Sequence, residues 1–138
     1  IVKDKKLDLW VVCYDRLCGK TPPDEVIIPY LKCCDVISYW TWNGADLVHL
    51  EENFKHIKQL ADQCDCRLVL GCYMFDYGEK KILPVELMEK QCQLGLKWLE
   101  KGEIEGMIFL ASCIGDLDLE AVKWTQNWIK QLQSEQEQ

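Results

Sequence analysis

The sequence has no excess of basic residues. Its 138 residues contain 16 Lys and Arg against 23 Asp and Glu, so the formal net charge is -7 at pH 7. Proteins that bind nucleic acids usually present a basic stripe, and anionic membrane surfaces attract clusters of Lys and Arg. The charge balance therefore predicts neither a nucleic-acid partner nor a membrane partner.

The sequence also lacks the glycine-rich motifs that bind nucleotides. It contains 8 Gly, and neither G-x-x-x-x-G-K-[ST] nor G-x-G-x-x-G occurs after the first predicted strand. Such glycines let the backbone approach phosphate groups closely. No apolar run approaches the ~20 residues of a membrane span. The sequence therefore indicates no nucleotide cofactor, and we predict that the protein uses no cofactor.

Histidine is scarce, whereas cysteine is plentiful. The two histidines, His49 and His56, lie in or beside one predicted helix, and the 9 cysteines are an odd number. Cys33-Cys34 and Cys64-x-Cys66 do not have the C-x2-C spacing of a structural zinc site. A secreted disulfide framework usually has an even number of cysteines in a small, loop-rich chain. We therefore predict no metal site and reduced thiols, which favour a cytoplasmic location.

Hydrophobic patterns along the chain predict strands and helices in strict alternation. The predicted strands cover 7–14, 35–42, 66–75 and 104–112, and the predicted helices cover 22–34, 49–64, 84–102 and 118–133. This order is typical of an α/β fold in which right-handed crossovers connect a parallel sheet. The length fits a single domain over residues 1–138.

Two arrangements of this sheet fit the pattern. One is half of a (β/α)8 barrel, and the other is an open flavodoxin-like sheet. The predicted strands have one aliphatic face and one mixed face, and the second strand fits this contrast least well; in the third strand the mixed face carries Val69, Gly71 and Tyr73. A barrel interior packed in layers favours such a contrast, whereas an open sheet covered by helices favours aliphatic residues on both faces. We therefore expect a half-barrel, with the open sheet as the alternative.

Aromatic and polar residues follow the predicted strands, at the edge where parallel α/β sheets bind ligands. Flat rings with polar tips suit sugar rings, which have apolar faces and a rim of hydroxyls. The predicted substrate-binding residues are Tyr14, Arg16, Trp40, Trp42, Asn43, Tyr73 and Cys113. Asp15 and Asp76 are the predicted catalytic acid and base, because glycoside hydrolysis commonly uses two carboxylates. Alternatively, Asp15 pairs with Arg16 or caps a turn, and Asp76 forms an Asx-turn.

Three segments carry a resemblance to a known group of proteins. They are WTW (40–42), GCYMFDYG (71–78) and IEGMIFLASC (104–113). With these segments the chain resembles the C-terminal half of uncharacterised bacterial barrel proteins that are loosely related to glycoside hydrolases. The resemblance implies a carbohydrate site at the strand ends. It also implies a nucleophile near 73–76, where Asp76 replaces the usual Glu, with the paired acid outside this chain.

Two other functions remain open from the sequence. One is a non-catalytic flavodoxin-like domain that binds a flavin or a small anion, and the other is a structural half-barrel without a ligand. The chain opens with Ile1, which suggests a piece of a longer barrel. A lone half-barrel exposes two edge strands, so we expect a homo-oligomer or a missing N-terminal half as its partner.

Overall fold

The computed structural model describes residues 7–111 and 114–136, and it shows an α/β fold with alternating strands and helices. The strands are β1 (Trp10–Tyr14), β2 (Val36–Trp40), β3 (Arg67–Tyr73), β4 (Phe75–Asp76), β5 (Lys81–Ile82) and β6 (Gly106–Leu110). The helices are α1 (Asp24–Leu31), α2 (Leu50–Cys64), α3 (Val85–Glu100) and α4 (Glu120–Gln136). β1, β2, β3 and β6 form one parallel sheet in that spatial order. The predicted α/β class and the parallel sheet are confirmed.

One local structure was not predicted, a short hairpin after β3. The predicted strand over 66–75 ends at Tyr73, and β4 pairs with β5 in an antiparallel arrangement. The turn between them is closed by the Asp76 side chain, whose Oδ1 accepts a hydrogen bond of 3.0 Å from the Glu79 amide. The Asp76 side chain therefore stabilises a turn, as the alternative prediction had it, but the bond reaches the amide three residues on and not the one two residues on that defines an Asx-turn.

The helix α2 shows why the helical predictions succeeded. Its buried residues recur every three or four positions along the chain, which is the spacing of one helical face. These residues are Leu50, Phe54, Ile57, Leu60, Ala61 and Cys64. The helix ends at Asp65, which has a φ of 58° and so adopts the left-handed conformation common after helices.

Strand register divides the side chains of the parallel sheet between two faces. The covered face consists of Val11, Cys13, Ile37, Tyr39, Leu68, Leu70, Cys72, Met107 and Phe109, which all belong to the core formed with the helices or pack against it. The open face consists of Trp10, Val12, Tyr14, Val36, Ser38, Trp40, Val69, Gly71, Tyr73, Gly106, Ile108 and Leu110. None of the open-face residues belongs to that helical core.

Most cysteines in the described ranges are buried and act as small apolar residues; Cys33 is exposed, and Cys18 and Cys34 are partly buried. Eight of them are free thiols, and Cys113 lies outside the described residues. Burial raises the pKa of Cys13 and of Cys92 to about 12, which keeps both thiols protonated at neutral pH. Buried thiols of this kind are inert and contribute to packing.

Within residues 7–111 and 114–136, no helix combines the length and the apolar character required to cross a membrane.

Candidate functional site

Aromatic rings from three strand ends form one continuous group at the C-terminal edge of the sheet. This aromatic cluster consists of Tyr14, Trp40, Trp42, Tyr73, Phe75 and Tyr77. The ring centroids of Trp42 lie 5.7 Å from Tyr14 and 5.8 Å from Tyr73, both in edge-to-face geometry. Rings prefer such arrangements because the positive edge of one meets the negative face of another. The cluster brings together four of the predicted substrate-binding residues.

Trp40 is the buried member that fixes the cluster to the sheet. A Cβ placed on Gly71 would lie 2.0 Å from the Trp40 ring, so the indole lies directly against the glycine backbone. The Trp40 Nε1–H donates a hydrogen bond of 2.7 Å to the Ser38 Oγ. Trp40 and Tyr73 are only 7% and 8% exposed, so their rings serve as packing beneath the site. Burial, followed by the neighbouring phenol of Tyr14, raises the pKa of Tyr73.

Trp42 is the member of the cluster that offers an accessible ring. It is 42% exposed and lines a cavity of about 500 Å³ together with Tyr14, Asp15, Arg16 and Asn43. These five residues come from the ends of β1 and β2, which are neighbours in the sheet. A cavity with an aromatic wall and a few polar groups is the usual form of a small-molecule site.

Asp15 supplies the carboxylate of this cavity. Its Oδ1 accepts a hydrogen bond of 3.2 Å from the Trp42 amide, which joins the ends of β1 and β2. Burial raises the pKa of Asp15, the adjacent Asp46 raises it further, and the Trp42 amide opposes both effects. A neighbouring carboxylate disfavours the ionised form of Asp15, so Asp46 acts in the same direction as burial. The carboxyl group of Asp15 therefore supplies a hydrogen-bond acceptor at the rim of the cavity.

Asp46 was not predicted as a site residue, although it lies three residues after Asn43, which was predicted. It belongs to the 3₁₀ turn Gly44–His49, and its Oδ2 accepts a hydrogen bond of 3.0 Å from the Asn43 Nδ2. The hairpin loop contacts the segment after β2, because the Gly78 amide donates a hydrogen bond of 3.1 Å to the Trp42 carbonyl. A Cβ on Gly78 would lie 1.7 Å from the Asn43 Oδ1, so only glycine fits there.

Asp76 lies outside the cavity and holds the hairpin together. It is 1% exposed; its Oδ1 accepts the Glu79 amide, and its Oδ2 lies 4.0 Å from the Lys81 Nζ. A Cβ on Gly44 would lie 2.8 Å from that Oδ2, so Asp76 is packed against the turn that carries Asp46. The carboxyl group next to Asp15 is accordingly that of Asp46, and Asp76 has the position of a structural residue.

A second cavity, of about 340 Å³, lies between α2 and α3 and is lined by Lys55, Lys58, Lys97 and Lys101 among others. Two of these ammonium groups already have carboxylate partners, since Lys58 pairs with Asp62 and Lys97 lies 3.8 Å from Glu51. This neutralisation makes the cavity a weaker candidate for ligand binding than the strand ends.

Chemical groups for a metal ion are not assembled in the described ranges, where no set of three or more His, Cys, Asp or Glu residues is suitably placed. The predicted binding residue Cys113 lies outside those ranges. In comparisons with known proteins, the chain matches no family model, and no curated protein or solved structure matches it significantly.

Proposed function

We propose that the C-terminal edge of the sheet binds a carbohydrate or a closely similar polyhydroxylated ligand. The observation that carries this proposal is the accessible ring of Trp42 beside a cavity lined by Asp15, Arg16 and Asn43. An indole stacks against the apolar C–H face of a sugar ring, while the carboxylate, guanidinium and amide satisfy its hydroxyls. Tyr14, also in the cavity wall, adds a phenolic hydroxyl to this set.

Binding, without hydrolysis, is the function that this geometry supports. Glycoside hydrolysis commonly needs two carboxyl groups on opposite sides of the scissile bond. Within the described part of the chain, Asp15 is the one carboxylate in the wall of this cavity, while Asp76 is buried in the hairpin. Asp46 neighbours Asp15 and raises the pKa of its carboxyl group. The proposed role of Asp15 is therefore to accept hydrogen bonds from ligand hydroxyls.

The proposed architecture around this site is half of a (β/α)8 barrel. Support comes from the order of the parallel strands, in which each strand lies beside the preceding one along the chain. A flavodoxin-like sheet instead places its first strand between the second and third. The helical core on the covered face corresponds to the outer ring of a barrel, and the open face corresponds to its interior.

The proposal is tested by titrating the protein with a panel of neutral mono- and oligosaccharides, using calorimetry and tryptophan fluorescence. Trp42→Ala removes the stacking ring, and we expect it to weaken binding of any responding sugar by at least about tenfold. Tyr30→Ala is the matched control, because Tyr30 is 69% exposed and lies near the end of α1. It should leave binding unchanged.

Two results would contradict the proposed site. One is the absence of binding by every sugar in the panel at millimolar concentration. The other is equal loss of binding in the Trp42→Ala and Tyr30→Ala variants, which would show that the effect is not local to the cavity. An absorption spectrum after adding free flavin separates the alternative, because a bound flavin would change the visible bands and would point to a different ligand class.

A further inference from the structure

The polar side chains in the wall of the strand-end cavity differ in how far the protein already satisfies them. The Asp15 Oδ1 accepts a hydrogen bond of 3.2 Å from the Trp42 amide. The Asn43 Nδ2 donates one of 3.0 Å to the Asp46 Oδ2. Both wall residues have therefore committed part of their hydrogen-bonding capacity to the protein itself.

Arg16 is the polar wall residue that has no such partner. Its side chain is exposed and lines the cavity. Within residues 7–111 and 114–136 this side chain takes part in no hydrogen bond or ion pair, so the Asp15–Arg16 pair that the sequence left open is not formed there. A guanidinium has five N–H donors and a permanent positive charge. The group that complements it best is an anion.

The charges around Arg16 limit what this anion can be. Arg16 is the only cationic side chain among the described residues that line the cavity, and the whole chain has a net charge of -7. A ligand with several negative charges would be repelled. A single negative charge meets less repulsion, because burial and Asp46 disfavour the ionised form of Asp15. A planar carboxylate also matches the guanidinium fork through two parallel hydrogen bonds.

The ring of Trp42 adds a second requirement in the same wall. It is 42% exposed, and an accessible indole favours a ligand with a flat apolar face. We infer that the cavity binds a sugar acid, a uronate whose ring stacks on Trp42 and whose single carboxylate pairs with Arg16. This inference rests on the proposed carbohydrate site, and it adds the charge of the ligand and the residue that selects it.

The test is calorimetry at neutral pH and low ionic strength with matched pairs of methyl glycosides. Each pair combines a uronate with the neutral sugar of the same stereochemistry, glucuronate with glucose and galacturonate with galactose. We expect the wild type to bind at least one uronate about tenfold more tightly than its neutral counterpart, because a charge-assisted bidentate contact is added to stacking. Added salt should reduce this preference, since Arg16 is exposed and salt screens its charge.

Substitutions separate the charge of the ligand from its ring. Arg16→Gln should weaken uronate binding about tenfold more than binding of the neutral sugar, which abolishes the preference. Arg16→Lys keeps the charge but loses the planar fork, so it should retain part of the preference. Trp42→Ala should weaken both members of a pair, because stacking does not depend on the carboxylate. Lys55→Gln is the matched control, since it removes one positive charge from the exposed surface between α2 and α3, and it should keep the full preference.

The outcomes distinguish this inference from the site on which it rests. Equal affinity of the wild type for both members of each pair overturns the inference and leaves the carbohydrate site standing. So does a preference that Arg16→Gln retains, or that Lys55→Gln loses equally. Absence of binding by every uronate and every neutral sugar contradicts both proposals.

Two further probes separate a sugar acid from a simple anion. Acetate and inorganic phosphate carry the charge without a sugar ring, and we expect neither to bind as tightly as the uronate. If either does, the cavity takes a free anion and the assignment of a sugar acid is wrong. Circular dichroism establishes that each variant folds, and the two substitutions at Arg16 keep the test decisive if one of them does not.

Discussion

The two faces of the parallel sheet are built from the same strands but have different kinds of surface. The covered face buries Leu70 at 2% exposure and Cys72 at 0% among helices, whereas the open face leaves Val12 54% exposed on β1 and buries its central residues outside the helical core. The covered face is mainly aliphatic and thiol-containing, while the open face mixes two glycines with large rings. A face that packs against helices requires shape complementarity along its whole length.

On the open face, large aromatic rings bury part of the sheet surface, as helices do on the covered face. Trp40 lies over Gly71, and its ring centroid is 4.6 Å from that of Tyr73. These contacts run between neighbouring strands within the sheet, so the face partly buries itself. A glycine on β3 is required because the indole of β2 occupies the space that a side chain would fill. The open face is therefore organised around rings, and its C-terminal rim carries the proposed site.

The largest expected effect comes from shortening one aliphatic side chain on each face of the sheet to alanine. Leu70→Ala should lower the free energy of unfolding by about 2–5 kcal/mol, because it leaves a cavity between sheet and helices. Val12→Ala should cost less than about 1 kcal/mol, since Val12 is 54% exposed. Urea denaturation of the variants measures both. A comparable loss for both variants would break the distinction between the faces.

The prediction of intermediate size compares alanine substitutions at three glycines that have different surroundings. Gly71→Ala should cost about 1–3 kcal/mol, because the new Cβ would overlap the rigid Trp40 ring. Gly95→Ala, in α3 against the covered face, should change stability by less than about 1 kcal/mol. There the nearest atom is the flexible Met107 Cε at 2.3 Å, and alanine favours the helix.

Gly106→Ala is the control for the glycine comparison. Gly106 lies on the open face like Gly71, but a Cβ there would have no atom within 4 Å. We expect the free energy of unfolding of this variant to remain within about 0.5 kcal/mol of the wild-type value. If Gly71→Ala were as harmless as Gly106→Ala, the ring of Trp40 would have to move freely away from the sheet.

The smallest expected effect concerns the pH dependence at the rim of the open face. The folded pKa of Asp15 is raised by burial and then by Asp46, so the folded state holds its proton more tightly than the unfolded state. Stability therefore falls as the pH rises from the unfolded pKa to the higher folded pKa. Asp46→Asn removes one cause, so it should reduce this fall by less than about 1 kcal/mol, because solvent screens the partly exposed Asp15.

Urea denaturation at several pH values between about 3.5 and 7 measures this effect, since the window begins near the unfolded carboxyl pKa. Asp62→Asn is the control, because its side chain is 62% exposed and removal of its charge leaves Asp15 unaffected. Identical pH profiles for the wild type and Asp46→Asn would show that the two carboxyl groups do not interact.

The candidate site was predictable in part. Tyr14, Asp15, Arg16, Trp42 and Asn43 were identified because parallel strands end at a common edge, and the structure places these five around one cavity. The position of Asp76 was not predictable from the sequence, since a carboxylate after a strand can either line a cavity or stabilise a turn. The Glu79 amide and the hairpin decide for the turn.

The sequence by itself determined the order and type of the main elements and the two faces of each strand, because hydrophobic periodicity is a local property of the chain. Tertiary structure alone decided that Trp40 lies over Gly71, that Asp46 neighbours Asp15, and that Trp42 keeps an accessible ring. These contacts join residues on different strands and turns. They depend on strand register and on the space that each side chain leaves for its neighbours, which no local pattern specifies.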